Sequence, residues 1–91
     1  MIIRISGEGQ YEVDDEILTQ LNELDAAVEA SLDANEAEFA AALLALLTLV
    51  RDSGTHVADE ALVESDVILP ASDATAADVR AMLRDDGLIP G

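Results

Sequence analysis

The sequence predicts a small α+β domain, and three observations carry that prediction. Two period-two runs flank Ser6-Gly7-Glu8-Gly9, two amphipathic helical repeats stand only Asp33-Ala34 apart, and the triplet Val67-Ile68-Leu69 is stopped by Pro70 ahead of a capped helix. The expected order is β-β-α-α-β-α. A small antiparallel sheet, made of the N-terminal β-hairpin plus a short third strand, packs on an αα-hairpin and a C-terminal helix. With 91 residues there is material for one core, so residues 1–91 are read as a single domain.

The hairpin comes first. Met1, Ile3 and Ile5 alternate with Ile2, Arg4 and Ser6, and Tyr11 and Val13 stand opposite Gln10 and Glu12. Ile2 puts an apolar residue on the second face, which implies a sheet covered on both sides or paired there. Asp14 then suits an N-cap, because its carboxylate can accept from amides left unbonded in a first helical turn. Asp15 and Glu16 place negative charge where the helix dipole favours it. Val13 and Leu18 hold the positions of a hydrophobic staple. Ile17, Leu21, Leu24, Val28 and Leu32 recur every three or four residues, giving a helix over about 15–32.

Asn35, with Glu38 three residues on, opens a second helix in a capping-box pattern. Its stripe is Phe39, Leu43, Leu46, Leu47 and Val50, while Leu44 and Leu49 fall outside it and widen the apolar face. Gly54 is placed to stop this helix in a left-handed conformation. Residues 55–66 are irregular and acidic. Val67–Leu69 is the third strand. Thr75 and Asp78 repeat the capping box for a last helix that buries Val79, Met82 and Leu83, with Gly87 closing it and Leu88 and Ile89 folding back.

Composition narrows function. Twenty Asp and Glu against four Arg, with no Lys, give a formal net charge of −16. That field opposes nucleic-acid phosphate and anionic lipid, and no basic stripe or aromatic platform offsets it. A salt-rich cytoplasm, plain solubility and a basic protein partner each account for such acidity. There is no cysteine, so disulfides and thiolate metal sites are excluded. The start of the chain lacks the basic-then-apolar pattern of an export signal, and the most apolar run, Phe39 to Val50, is too short for the ~20 residues of a bilayer span. A cytoplasmic protein is expected.

Catalytic chemistry finds little support. Gly7-Glu8-Gly9 lacks the third glycine of a dinucleotide loop and the Gly-Lys-Ser/Thr of a P-loop, and it leads into a strand, so it reads as a hairpin bend. His56 is the only histidine and sits in a polar stretch without a nucleophile in view. Carboxylate runs such as Asp14-Asp15-Glu16, Asp59-Glu60 and Asp85-Asp86 do not follow the calcium-loop pattern and suit helix ends. No catalytic, cofactor-binding or metal-binding residue is therefore assigned. Surface remains: the candidate partner contacts are Leu44 and Leu49 on the wide helix face, and Asp59, Glu60, Glu64 and Asp66 in the acidic stretch.

Four segments together, MIIRISGEGQYEV, LNELDAAVEA, SDVILPASDAT and the closing DGLIPG, resemble the phage-shock-protein-A-associated family, PspAA. The resemblance runs nearly end to end. It implies a non-enzymatic, cytoplasmic accessory or adaptor protein without a cofactor, bound to phage shock protein A, a coiled-coil membrane-remodelling protein of the envelope-stress response. Membrane association would then come through that partner, since the charge argues against direct contact with anionic bilayers. The competing reading is a self-associating module, a homodimer built on the helical hairpin or a sheet edge.

Overall fold

A computed structural model describes residues 1–58, 61 and 63–82. The strands are β1 (Ile2–Ile5), β2 (Gly9–Glu12), β3 (Thr55–His56) and β4 (Val67–Leu69), and the helices are α1 (Leu18–Ser31), α2 (Glu36–Ser53) and α3 (Ala76–Met82). A 3-10 turn at Asp15–Ile17 leads into α1. The α+β class and the expected element order are observed, with β3 as an addition.

Local chemistry sets the element ends. Asp14 Oδ1 accepts from the Glu16 amide at 2.9 Å, and Asn35 Oδ1 accepts from the Glu38 amide at 2.9 Å. Thr75 and Asp78 cap reciprocally: the Asp78 amide donates to Thr75 Oγ1 at 3.2 Å, and the Thr75 amide to Asp78 Oδ2 at 3.0 Å. At the hairpin bend the Glu8 amide donates to the Ile5 carbonyl at 3.0 Å, with Gly7 at φ +82° and Gly9 at φ +125°. Those angles favour glycine, so the bend is conformational in origin.

The sheet order is β3-β2-β1-β4. β1 and β2 pair antiparallel with Ile3 opposite Tyr11 and Arg4 opposite Gln10, and β3 pairs antiparallel with β2, placing His56 opposite Tyr11. β4 runs parallel to β1, with Arg4 opposite Ile68. The sheet is thus mixed, where a wholly antiparallel one was expected. The reason is the route of the chain: α2 delivers it to the β2 edge, and the strand at the opposite edge is reached by a crossover, which sets up parallel pairing.

That crossover explains the second face. Ile3, Ile5, Val13, Val67 and Leu69 are buried on the helix-facing side with Leu21, Val28, Phe39, Leu43, Leu46, Leu47, Val50 and Val79. On the other side, opposite the face of Tyr11 and Val13, Gln10 is only 6% exposed. Its Nε2 donates to the Val63 carbonyl at 3.0 Å and to Ser65 Oγ at 2.7 Å, so the crossover lies against the sheet here. Asp66 Oδ2 accepts from the Ile2 amide at 2.8 Å and fixes the entry to β4. Ile2 is half-buried, whereas Arg4 and Ile68 on the same face are exposed, so the second face is covered only in part.

Gly54 is a correction. Its backbone is extended, φ −95° and ψ 163°, not left-handed, and its amide donates to the Val50 carbonyl at 2.8 Å. Glycine is needed for space. A Cβ there would lie 2.6 Å from the Val50 carbonyl oxygen, 3.0 Å from Val13 Cγ1 and 3.1 Å from Tyr11 Cβ. Val79 is buried as expected and Met82 half-buried; the expectations for Leu83, Gly87, Leu88 and Ile89 lie outside the described residues.

Candidate interaction surface

Glu8, at the hairpin tip, receives both a 2.8 Å bond from Arg51 Nε to Oε1 and a bond from Arg51 Nη2 to Oε2. This fork ties the bend to the last turn of α2. The hydrogen bonding with Arg51 outweighs partial desolvation and holds the Glu8 carboxyl below its ordinary value of 4.5, while Glu8 raises Arg51 in turn. Asp33 pairs with Arg80 at 2.9 Å, and Arg80 also donates to the Leu32 carbonyl at 2.8 Å, joining α3 to the α1–α2 link. Asp15 lies 3.7 Å from the Met1 ammonium, which donates to the Val13 carbonyl at 3.0 Å.

The Glu8–Arg51 pair gives a pH prediction. A depressed folded-state pKa contributes stability above the unfolded value, and that contribution is lost as pH falls through the folded value. Both partners are partly solvated, so Glu8→Gln should cost about 0.5–1 kcal/mol at pH 7. In urea titrations the gap between wild type and variant should persist down to about pH 5 and close below 4.5. A gap independent of pH would show that the fork contributes nothing through charge.

His56 is exposed on β3, its ring edge-on to Tyr11 with centroids 5.3 Å apart and planes at 76°. It is a surface residue, as expected, although on a short strand rather than a loop. Among the described residues no group of three or more His, Asp or Glu side chains is placed to hold a metal ion. A groove between the starts of α2 and α3, lined by Glu36, Phe39, Ala40, Ala74, Thr75 and Ala76, has about 230 Å³. That is below the ~300–1,000 Å³ of a typical small-molecule site.

The surface candidates separate. Leu44 is 55% exposed on the solvent side of α2, whereas Leu49 is half-buried and packs against the core. Glu64 is exposed, and Asp66 is exposed with its carboxylate committed to the Ile2 amide. Asp59 and Glu60 lie outside the described residues. Among the described residues the candidates do not form one patch: Leu44 stands on the helical layer, and Glu64 and Asp66 stand on the crossover beside the sheet. Among the described residues there, the large apolar side chains Val63 and Ile68 are also exposed. Ile68 was hidden in the sequence because an unbroken apolar triplet gives no sign of which face is covered. Arg4, on the same sheet face, is exposed beside Ile68.

Around Leu44 the solvent face of α2 is unlike the rest of the chain. Ala37, Ala41, Ala45 and Thr48 are exposed with it, and Phe39 to Val50 contains no charged residue. No helix of the described residues is long and apolar enough to cross a membrane.

The family model described as PspA-Associated protein matches residues 1–91, the whole chain. No curated protein and no solved structure matches.

Proposed function

The chain belongs to the PspA-associated protein family, and from that membership we propose that it is a non-enzymatic adaptor of the membrane-stress response that works by binding phage shock protein A. The full-length family match carries this reading. The side-chain chemistry supports it, because polar groups that could serve a reaction serve the fold instead. Asp14, Asn35, Thr75 and Asp78 cap helices, Glu8 is held by Arg51, and Asp33 is held by Arg80. The net charge of −16 favours a basic surface on the partner and disfavours anionic lipid. The contact residues proposed are Leu44 and Leu49 on α2 and the acidic positions Asp59, Glu60, Glu64 and Asp66. Its place is the cytoplasm, with the membrane reached through the partner.

The test is co-purification with the phage shock protein A homologue of the native host, with stoichiometry measured. A defined complex is expected. Vesicles rich in anionic lipid should sediment the chain only when that homologue is added. Direct sedimentation of the isolated chain, or no complex at all, overturns the reading.

A further inference from the structure

The solvent face of α2 singles out one kind of occupant. Ala37, Ala41, Leu44, Ala45 and Thr48 are exposed and uncharged over three turns, roughly 16 Å of helix at 1.5 Å per residue. Leu44 is the one large side chain among them. Small residues around a single projecting side chain let a second helix approach to about 8–10 Å between axes. The face is bounded by carboxylates: Glu36 and Glu38 at one end and Asp52 at the other, all exposed. The neighbouring cation, Arg51, is engaged by Glu8 and does not offset them.

Those end charges decide between two helical occupants. A second copy docked antiparallel would set Glu36 and Glu38 against the copy's Asp52, and docked parallel would set like against like. Either arrangement also brings together two chains of net charge −16. A helix with a small or apolar stripe flanked by Lys or Arg meets the same face with complementary charge at both ends.

We propose that the Ala37–Thr48 face of α2 is the docking surface for one such basic amphipathic helix of the partner protein. The proposal rests on the adaptor reading above and adds to it the surface used and the chemistry of the element that binds.

The experiment measures binding of the purified chain to the phage shock protein A homologue by titration calorimetry, for wild type, Ala41→Trp, Leu44→Arg and Ala26→Trp. Both α2 positions are exposed, so the fold should survive, checked by an unchanged circular dichroism spectrum and melting temperature. Ala41→Trp and Leu44→Arg should each weaken binding at least tenfold. Ala26→Trp, on the exposed side of α1, should leave it within twofold. Wild-type affinity should fall with added salt. Wild-type binding that both α2 variants retain overturns the docking surface and leaves the adaptor reading standing, whereas absence of wild-type binding overturns both. Salt-independent binding overturns the basic character of the helix. Light scattering should show a monomer, and a dimer broken by Leu44→Arg would overturn the proposal in favour of a second copy.

Discussion

Leu46→Ala should lower the stability of the domain by about 3 kcal/mol, while Leu44→Ala, two residues away on the same helix, should change it by less than about 1 kcal/mol. Both remove the same atoms from the same helical backbone, so propensity effects nearly cancel. What differs is environment. Leu46 is fully buried among the core side chains, and Leu44 is 55% exposed. Truncating a buried Leu loses its transfer free energy and leaves a cavity that close-packed neighbours fill only in part, within the ~2–5 kcal/mol range for such changes. For a domain of this size that is a fall in melting temperature on the order of 15 °C, a large share of the total stability. Paired thermal and urea unfolding measures both variants. Similar losses at the two positions would mean that α2 is rotated about its axis from the orientation described, and the proposed docking face would go with it.

What the sequence made legible follows from how local each cause is. The caps at Asp14, Asn35 and Thr75 involve groups two or three residues apart: Thr75 and Asp78 form the reciprocal box as read, the Asn35 side chain caps α2, and Asp14 caps the 3-10 turn ahead of α1 rather than α1 itself. The stripe Phe39, Leu43, Leu46, Leu47, Val50 is a matter of period, and all five are buried. Leu44 fell outside that stripe and is exposed, so half of the helix-face reading was visible from spacing alone. Leu49 fell outside it as well and nevertheless packs on the core, because α2 is covered over more of its circumference than one stripe defines.

The rest depended on contacts between distant residues. Glu8 and Arg51 are separated by 43 positions, and Arg80 and Asp33 by 47, with no periodicity to link them. β3 is two exposed polar residues whose strand character comes wholly from pairing with Tyr11 and Glu12. The burial of Gln10 could not be read from the alternation, because its cover arrives from residues 63–65, which have no regular structure of their own. The direction of β4 was hidden for the same reason. An apolar triplet states that a strand exists, but its polarity is set by the path the preceding chain takes around the sheet.

Two glycines separate the conformational use of this residue from the spatial one, and their substitution gives the second large effect. Gly54→Ala should cost about 2 kcal/mol, within the usual range for overpacking. The added methyl group would meet the Val50 carbonyl oxygen at 2.6 Å, a backbone atom in the last turn of α2 that cannot rotate away. It would also press on Val13 and on Tyr11 Cβ at 3.0 and 3.1 Å. Alanine stiffens the unfolded chain by about 0.4–1 kcal/mol in favour of folding, which only partly offsets this. Gly7 poses the opposite problem: nothing lies within 4 Å of its added Cβ, but φ is +82°. Gly7→Ala should cost about 1 kcal/mol, and Gly7→Asn less, since asparagine tolerates the left-handed region. At Gly54, where φ is already ordinary, asparagine should give no recovery over alanine. Strain at Gly54 acts where α2 hands the chain to the sheet, so hydrogen exchange in the variant should accelerate first at Thr55–Val57, the segment that pairs with β2. Equal tolerance of Asn at both positions would show that Gly54, like Gly7, is there for its backbone angles, and that the end of α2 has more room against Tyr11 of β2 than a 3.1 Å contact implies.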